Sequence, residues 1–224
     1  MKKGLAIAIA MVMMLSTVTV LSGVAMADDD IEAPTIYDLK PALGSFVSPL
    51  MSGGGVNVSA SYSDAGSGID VSKVALLIDG QLVEFVANET AVYFATYLDD
   101  GIHQVVVLVN DNNGNEGSAE SIFIVDSVNP KVSIKSPTFS LFKKLSPTPL
   151  IKATLSDNYD VAGFQVLIDA KAVSGVSWAP TGDGQYSISY QVPPGMLRSG
   201  FHSIVIIATD LAGNMGYGIT AFGV

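Results

Sequence analysis

Hydrophobic and polar residues alternate along much of the chain, which is typical of β-strands with one buried face. Between Val56 and Tyr62 every second residue is apolar, and the run stops at a turn sequence, Ser63-Asp64-Ala65-Gly66. Residues 74–78 form a continuous apolar run that ends at Asp79-Gly80, which predicts a central strand entering a hairpin. No segment after residue 27 has a sustained helical period, so we expect almost no helix.

The same pattern predicts a series of short strands in each half of the chain. In the first half these are 56–62, 74–78, 91–98, 103–109 and 120–125. In the second half they are 132–134, 150–155, 163–168, 186–192, 202–208 and 217–222.

The chain also repeats itself. The pattern L-x-x-G-x-H occurs at 98–103 and 197–202, and D-x-x-G-N occurs at 111–115 and 210–214, each pair 99 residues apart. Earlier matches lie 90 to 96 residues apart, as expected for two homologous domains with loop insertions. We predict domains at 34–126 and 130–224, joined by a short linker at 127–129 that restricts their relative orientation.

About seven short strands in each domain of roughly 95 residues, with frequent turn signals, predict an all-β protein of two immunoglobulin-like (Ig-like) β-sandwiches. The chain has no cysteine, so the core must hold each sandwich together without a disulfide.

Several motifs make the sequence similar to the tandem bacterial-type Ig-like domains of exported prokaryotic surface proteins. They are S-D-x-x-S-G-I-D at 63–70, I-D-G at 78–80, D-G-x-H-x-V-x-V at 100–107, A-T-D-L-A-G-N at 208–214 and the connector I-V-D-S-V-N-P at 124–130. The resemblance implies a spacer, stalk or adhesive surface and implies no reaction. The second copy departs from it, with Asp169-Ala170 in place of the D-G turn and 157–160 in place of S-G-I-D.

The N-terminus has the features of a signal peptide. Lys2 and Lys3 precede an apolar stretch, and Ala25-Met26-Ala27 offers small residues at the cleavage positions. We predict cleavage after Ala27, followed by an acidic tail at 28–33, although a retained membrane anchor is the competing interpretation. The protein is thus expected to be secreted or held at the cell envelope.

Charge and composition narrow the possible functions. After cleavage, 9 Lys and Arg face 21 Asp and Glu, a net charge of −12, which disfavours nucleic acid as a partner. The absence of cysteine excludes thiolate metal sites and cysteine nucleophiles. No nucleophile elbow, P-loop or H-E-x-x-H motif is present, so no catalytic residue is predicted.

The acids and amides of the turns suit a hard cation such as calcium. One interpretation of each D-x-x-G-N motif is purely structural: the Asp caps turn amides, the Gly takes a positive φ, and the Asn tolerates the same region. The alternative is calcium binding, which would stiffen the pair of domains if it occurred at their junction. The candidate ligands are Asp111, Asn113, Asn115, Asp126, Asn129, Asp210 and Asn214.

Two further groups of side chains attract attention. His103 and His202 occupy matching places, and we expect each to be partly buried and to bond backbone at a strand entrance. Trp178, Tyr186 and Tyr190 surround a hairpin and could stack on sugar rings; alternatively, Trp178 covers the sandwich or its edge.

The sequence therefore predicts a non-catalytic, exported Ig-like tandem that acts as a structural or adhesive spacer or a protein-interaction module. Its partner would be a cell-surface protein or a polysaccharide. The alternative function is a carbohydrate-binding accessory module.

Overall fold

The computed structural model describes residues 30–224 as two β-sandwiches of the same topology. The predicted signal peptide and its cleavage site lie outside the described residues. The strands of the first sandwich are β1 (Thr35–Lys40), β2 (Phe46–Val47), β3 (Val56–Ser63), β4 (Ala75–Ile78), β5 (Gln81–Leu82), β6 (Val86–Ala87), β7 (Ala91–Thr96), β8 (Gly101–Asn110) and β9 (Glu116–Val125).

The second sandwich repeats this series. Its strands are β10 (Lys131–Ser136), β11 (Ser140–Lys144), β12 (Leu150–Ser156), β13 (Val161–Ile168), β14 (Lys171–Ala172), β15 (Ser177–Gly182), β16 (Gln185–Gln191), β17 (Phe201–Asp210) and β18 (Met215–Gly223). One turn of 3-10 helix, Val71–Lys73, is the helical element in residues 30–224. No helix among these residues is long and apolar enough to cross a membrane.

Each sandwich pairs a four-stranded sheet with a five-stranded sheet. In the first sandwich the orders are β1-β3-β7-β6 and β2-β9-β8-β4-β5, and in the second they are β10-β12-β16-β15 and β11-β18-β17-β13-β14. The central strands pair in antiparallel fashion, whereas β2 and β11 run parallel to β9 and β18. The predicted fold class, two tandem Ig-like sandwiches, is confirmed. The domain limits at 126 and 130 stay a prediction.

Alternating side chains build a separate core in each sandwich. The inward residues of β3, Val56, Val58, Ala60 and Tyr62, are all buried and pack with β4, β8 and β9. A second cluster, which includes Ile151, Leu155 and Ile206, forms the other core. Because the apolar positions recur every second residue, each strand turns one face to its core.

A close backbone approach fixes where the connector enters the second sandwich. A Cβ at Gly216 of β18 would overlap the carbonyl oxygen of Pro130, and Gly117 of β9 meets Pro34 in the same way. Only glycine permits this contact. Pro130 therefore lies against β18, which brings the connector beside the loop at 210–214.

Candidate functional site

The connector between β9 and β10 is bonded to the first sandwich. Ser127 donates to the carboxylate of Asp100 through its amide, at 2.8 Å, and through its hydroxyl, at 2.9 Å. The amide of Val128 donates to Oδ1 of Asp126 at 3.0 Å, which closes a local turn. Asp126 itself is completely buried. The few residues that join the sandwiches therefore have a fixed course.

Two amide side chains of the second sandwich donate hydrogen bonds to the same connector. Nδ2 of Asn158 donates to Oδ1 of Asp126 at 3.1 Å. Nδ2 of Asn214 donates to the backbone oxygen of Asp126 at 2.9 Å. Asn214 is 2% exposed, so its hydrogen bonds are shielded from water. Without Asn214 the backbone oxygen of Asp126 would lose this buried hydrogen bond. Without Asn158, Oδ1 of Asp126 would keep only the amide of Val128 as a donor in the described part of the chain.

Direct contacts also link the two sandwiches across the connector. The buried hydroxyl of Ser48, just after β2, donates to Oδ1 of Asn214. The ring of Phe46 packs edge-on against Tyr159, with 5.4 Å between ring centroids. Polar and aromatic contacts thus both join one sandwich to the other.

The two D-x-x-G-N loops have the structural geometry that their sequence predicts. Oδ1 of Asp111 accepts the amides of Asn113 and Asn115, at 2.9 and 2.8 Å, and Oδ1 of Asp210 accepts that of Asn214 at 2.8 Å. Gly114 and Gly213 have φ values of 91° and 89°. Asn115 and Asn214 do not share this region of positive φ. Each Asn instead donates to the second carboxylate oxygen of its Asp.

Three carboxylates converge at the junction. One oxygen from each of Asp126, Asp157 and Asp210 lies within 4.8 Å of the others. Among the described residues, Oδ2 of Asp126 and Oδ2 of Asp157 are buried without a hydrogen-bond partner. None of the three acids forms an ion pair in that part of the chain. Buried, unpaired carboxylates that face like charges are costly unless a cation joins them.

The pKa of Asp157 reflects the crowding of negative charge in this cluster. Burial raises the pKa of Asp157, and the charges of Asp126 and Asp210 raise it further, although the amide of Tyr159 opposes them by donating at 3.0 Å. Burial and the nearby charge of Asp126 likewise raise the pKa of the Tyr159 hydroxyl. The site therefore carries an excess of negative charge in a partly dry environment, which suits a hard divalent ion with oxygen ligands.

The seven predicted cation ligands fall in two places. Asp126, Asp210 and Asn214 meet at the junction, whereas Asn129 is exposed beside it. Asp111, Asn113 and Asn115 follow the far end of β8, whose first residue pairs with Val125, next to the junction. Ten strand residues separate the two places, about 30 Å. The seven residues cannot share one ion.

Asp157 was missing from the predicted ligand set. It follows β12 in the turn that replaces S-G-I-D, and its match in the first copy is Asp64, 93 residues earlier. The repeat offsets could have suggested it, since the other two acids also sit at the end of a strand. Ser48 and Asn158 had no comparable signal.

The histidines lie where the sequence predicts, with an additional partner. Nε2 of His103 contacts the carbonyl oxygen of Asp99 at 2.8 Å, and Nδ1 contacts Oδ2 of Asp79 at 2.7 Å. His202 has the same contacts, at the same distances, with Arg198 and Asp169. Burial lowers the pKa of each histidine, but these hydrogen bonds outweigh it and hold the pKa above its ordinary value.

Two of the three predicted aromatic residues are brought together. Trp178 stacks on Tyr186, with centroids 4.7 Å apart, and tilts against Phe164 at 5.4 Å. Trp178 remains 47% exposed. The hydroxyl of Tyr190 lies 3.8 Å from Sδ of Met196 instead, and Tyr190 packs against the core.

Comparison with solved structures places the fold. The fibronectin(III)-like modules of Clostridium thermocellum CbhA superpose with a TM-score of 0.51 at 19% identity, over 85% of this chain and 93% of that chain. The I67–I69 fragment from the I-band of titin superposes with a TM-score of 0.52 at 13% identity, over 89% of this chain and 66% of that one. No protein-family model matches the sequence, and no curated protein sequence matches it. The chain has the fold of tandem Ig-like and fibronectin(III)-like domains.

Proposed function

We propose that the chain is a non-catalytic spacer or protein-interaction module, exported to the cell envelope, whose two domains are held in one orientation. The observation that carries this proposal is the bonded junction, in which the connector and both sandwiches share buried hydrogen bonds through Asp126 and Asn214. A spacer transmits position or force only if its joints resist bending, and contacts across the interface are what prevent relative domain motion.

Bending at the junction would separate groups that now contact one another. Separating the sandwiches would break the contact between Ser48 and Asn214 and the ring contact between Phe46 and Tyr159. A hydrogen bond exchanged for water costs about 0.5–1.5 kcal/mol, and loss of an aromatic pair costs about as much. The sum of about 1–3 kcal/mol exceeds thermal energy, so the bonded orientation should dominate.

We further propose that a divalent cation, calcium above all, completes the junction. Asp126, Asp157 and Asp210 would supply carboxylate oxygens, and water would supply the remaining ligands of a six- to eight-coordinate ion. The two buried, unpartnered oxygens support this assignment, because they leave acceptors that no protein donor uses in the described residues. Bound there, the ion would join the connector to two loops of the second sandwich.

Small-angle scattering of the purified protein tests the spacer proposal. We expect wild-type protein to scatter as one rigid particle in calcium. Asn158→Ala removes a bond to the connector and should broaden the distribution of interdomain distances, whereas the control Asn57→Ala, an exposed residue of β3, should not. Wild-type protein that is as flexible in calcium as Asn158→Ala would overturn the proposal.

A carbohydrate-binding accessory module is the second candidate, supported by the exposed ring of Trp178 over Tyr186. The partner would then be a polysaccharide and not a cell-surface protein. Retention on insoluble polysaccharides that disappears in Trp178→Ala, but persists in Tyr97→Ala, would favour it. Tyr97 is a suitable control because it is 81% exposed in the first sandwich.

A further inference from the structure

The outer face of β17 and β18 in the second sandwich is free of charge. We call it the β17–β18 face. Antiparallel pairing sets its outward residues in five rows: Thr209 with Met215, Ile207 with Tyr217, Val205 with Ile219, Ser203 with Ala221, and Phe201 with Gly223. None of these ten positions carries a charged side chain.

Several of the larger side chains on this face are strongly exposed. Phe201 is 68% exposed, Tyr217 is 71%, Ile219 is 64% and Met215 is 57%. Scattered apolar residues are normal on a protein surface, but Met215, Tyr217 and Ile219 occupy three neighbouring rows of one sheet, and Phe201 lies two rows beyond Ile219. A contiguous apolar patch of this kind usually marks an interaction site.

The matching face of the first sandwich carries charged side chains on β9. The residues 99 positions before Met215, Tyr217 and Ile219 are Glu116, Ser118 and Glu120, and all three are exposed. Oε1 of Glu120 accepts a hydrogen bond from Nε2 of Gln104 at 2.7 Å. The Ig-like fold therefore does not require an uncharged face here, and of the two copies only the second presents one.

We propose that the β17–β18 face binds the same face of a second copy of this chain. Charge is the first argument for this occupant. The chain has 21 acidic and 11 basic residues, so two copies repel one another over most of their surface. The uncharged face is a place where two copies can approach without that penalty.

Shape is the second argument. Consider two copies that meet face to face about a two-fold axis along the row of Val205 and Ile219, so that their facing strands are antiparallel. The row of Tyr217 in one copy then meets the row of Ala221 in the other. The large Tyr217 then lies over the small Ala221, Met215 lies over Gly223, and Phe201 lies over Thr209. Large side chains face small ones on both sides of the axis, which is the self-complementarity that a two-fold interface needs.

The size of the face sets the expected affinity. Ten outward positions are fewer than the roughly 20–30 residues that a standard interface places on each side. The dimer should therefore be weak, with dissociation at about micromolar concentrations or above. Because no ion pair holds it and like charges elsewhere oppose it, added salt should strengthen it.

Sedimentation velocity from about 1 µM to about 1 mM tests the proposal. Wild-type protein should pass from monomer to dimer, and at fixed protein concentration the dimer fraction should rise with sodium chloride. Ile219→Glu restores the acid of the first copy and should abolish the dimer. The control Leu82→Glu changes a 71% exposed residue of β5 and should leave it intact.

The proposal is overturned if wild-type protein stays monomeric throughout, or if Ile219→Glu dimerises as wild type does. Melting curves establish that each variant is folded. Should Ile219→Glu fail to fold, Tyr217→Ser, which copies Ser118 of the first sandwich, should weaken the dimer at least tenfold. Unchanged dimerisation of that variant would also overturn the proposal.

Discussion

The loops at 111–115 and 210–214 share one motif and the same internal hydrogen bonds, yet they lie in different surroundings. Asp111 and Asp210 both cap their own turn. Asn214 in addition reaches the backbone of Asp126 and the hydroxyl of Ser48, and Asp210 lies beside the connector residue Asp126. Each motif thus determines its own turn geometry, whereas the junction site depends on the residues that the fold places beside the second motif.

Replacing the Asn of each motif tests this difference, and it is the prediction with the largest expected change in stability. Asn214→Ala should cost about 2–4 kcal/mol, because Asp126 and Ser48 lose a buried partner as well as Asp210. Asn115→Ala should cost about 1–2 kcal/mol. Chemical denaturation measures both free energies of unfolding, and equal losses would mean that the junction contacts add nothing.

Much of this fold could be predicted from the sequence because its central strands obey a period of two. β3, β12 and β17 all coincide with predicted runs. The two-residue strands β2, β5, β6 and β14 went unpredicted, because two residues are too few to show a period. β2 matters most, since its Phe46 and the nearby Ser48 reach the second sandwich.

The candidate site could be predicted only in part. Asp210 and Asn214 were predicted from the D-x-x-G-N motif, and Asp126 from its place at the junction of the two copies. Ser48 and Asn158 were not, because contacts between residues 166 and 32 positions apart have no local pattern. The histidine partners Asp79 and Asp169 were missed for the same reason, although both belong to the repeat.

The hairpin turns after β4 and β13 offer a smaller test of the two copies. Asp79-Gly80 and Asp169-Ala170 all have positive φ, so the second copy keeps the turn although alanine replaces glycine. Ala170→Gly should stabilise the protein by about 0.5–1 kcal/mol, and Gly80→Ala should destabilise it by about 1 kcal/mol, since nothing else crowds that position. Thermal denaturation of both variants gives the signs, and equal signs would contradict this account.

The contribution of His103 and His202 to the pH dependence of stability should be the smallest of these effects. It should have the same sign in both copies. Each ring contacts a carboxylate and a carbonyl oxygen, which only accept, so these contacts favour the protonated ring, which donates from both nitrogens. The folded pKa of each histidine is raised, so its stabilisation is complete below about pH 6.5 and is lost as pH rises through the folded pKa.

The melting temperature should therefore fall by a few degrees as pH rises from about 6 to about 8.5. The double variant His103→Gln and His202→Gln should flatten this dependence. A wild-type melting temperature that rises over the same interval would contradict this stabilising role of the two histidines.

The central claim, that the junction carboxylates form a cation site, is tested most directly by the melting temperature of Asp157→Asn in chelator and in calcium. Without the ion, the variant should melt above wild type, because it removes a charge that Asp126 and Asp210 repel. With calcium, wild type should gain stability that the variant lacks, so their order reverses. The control Asp183→Asn, an exposed turn acid, should show no reversal. A wild-type melting temperature that calcium leaves unchanged would contradict the claim.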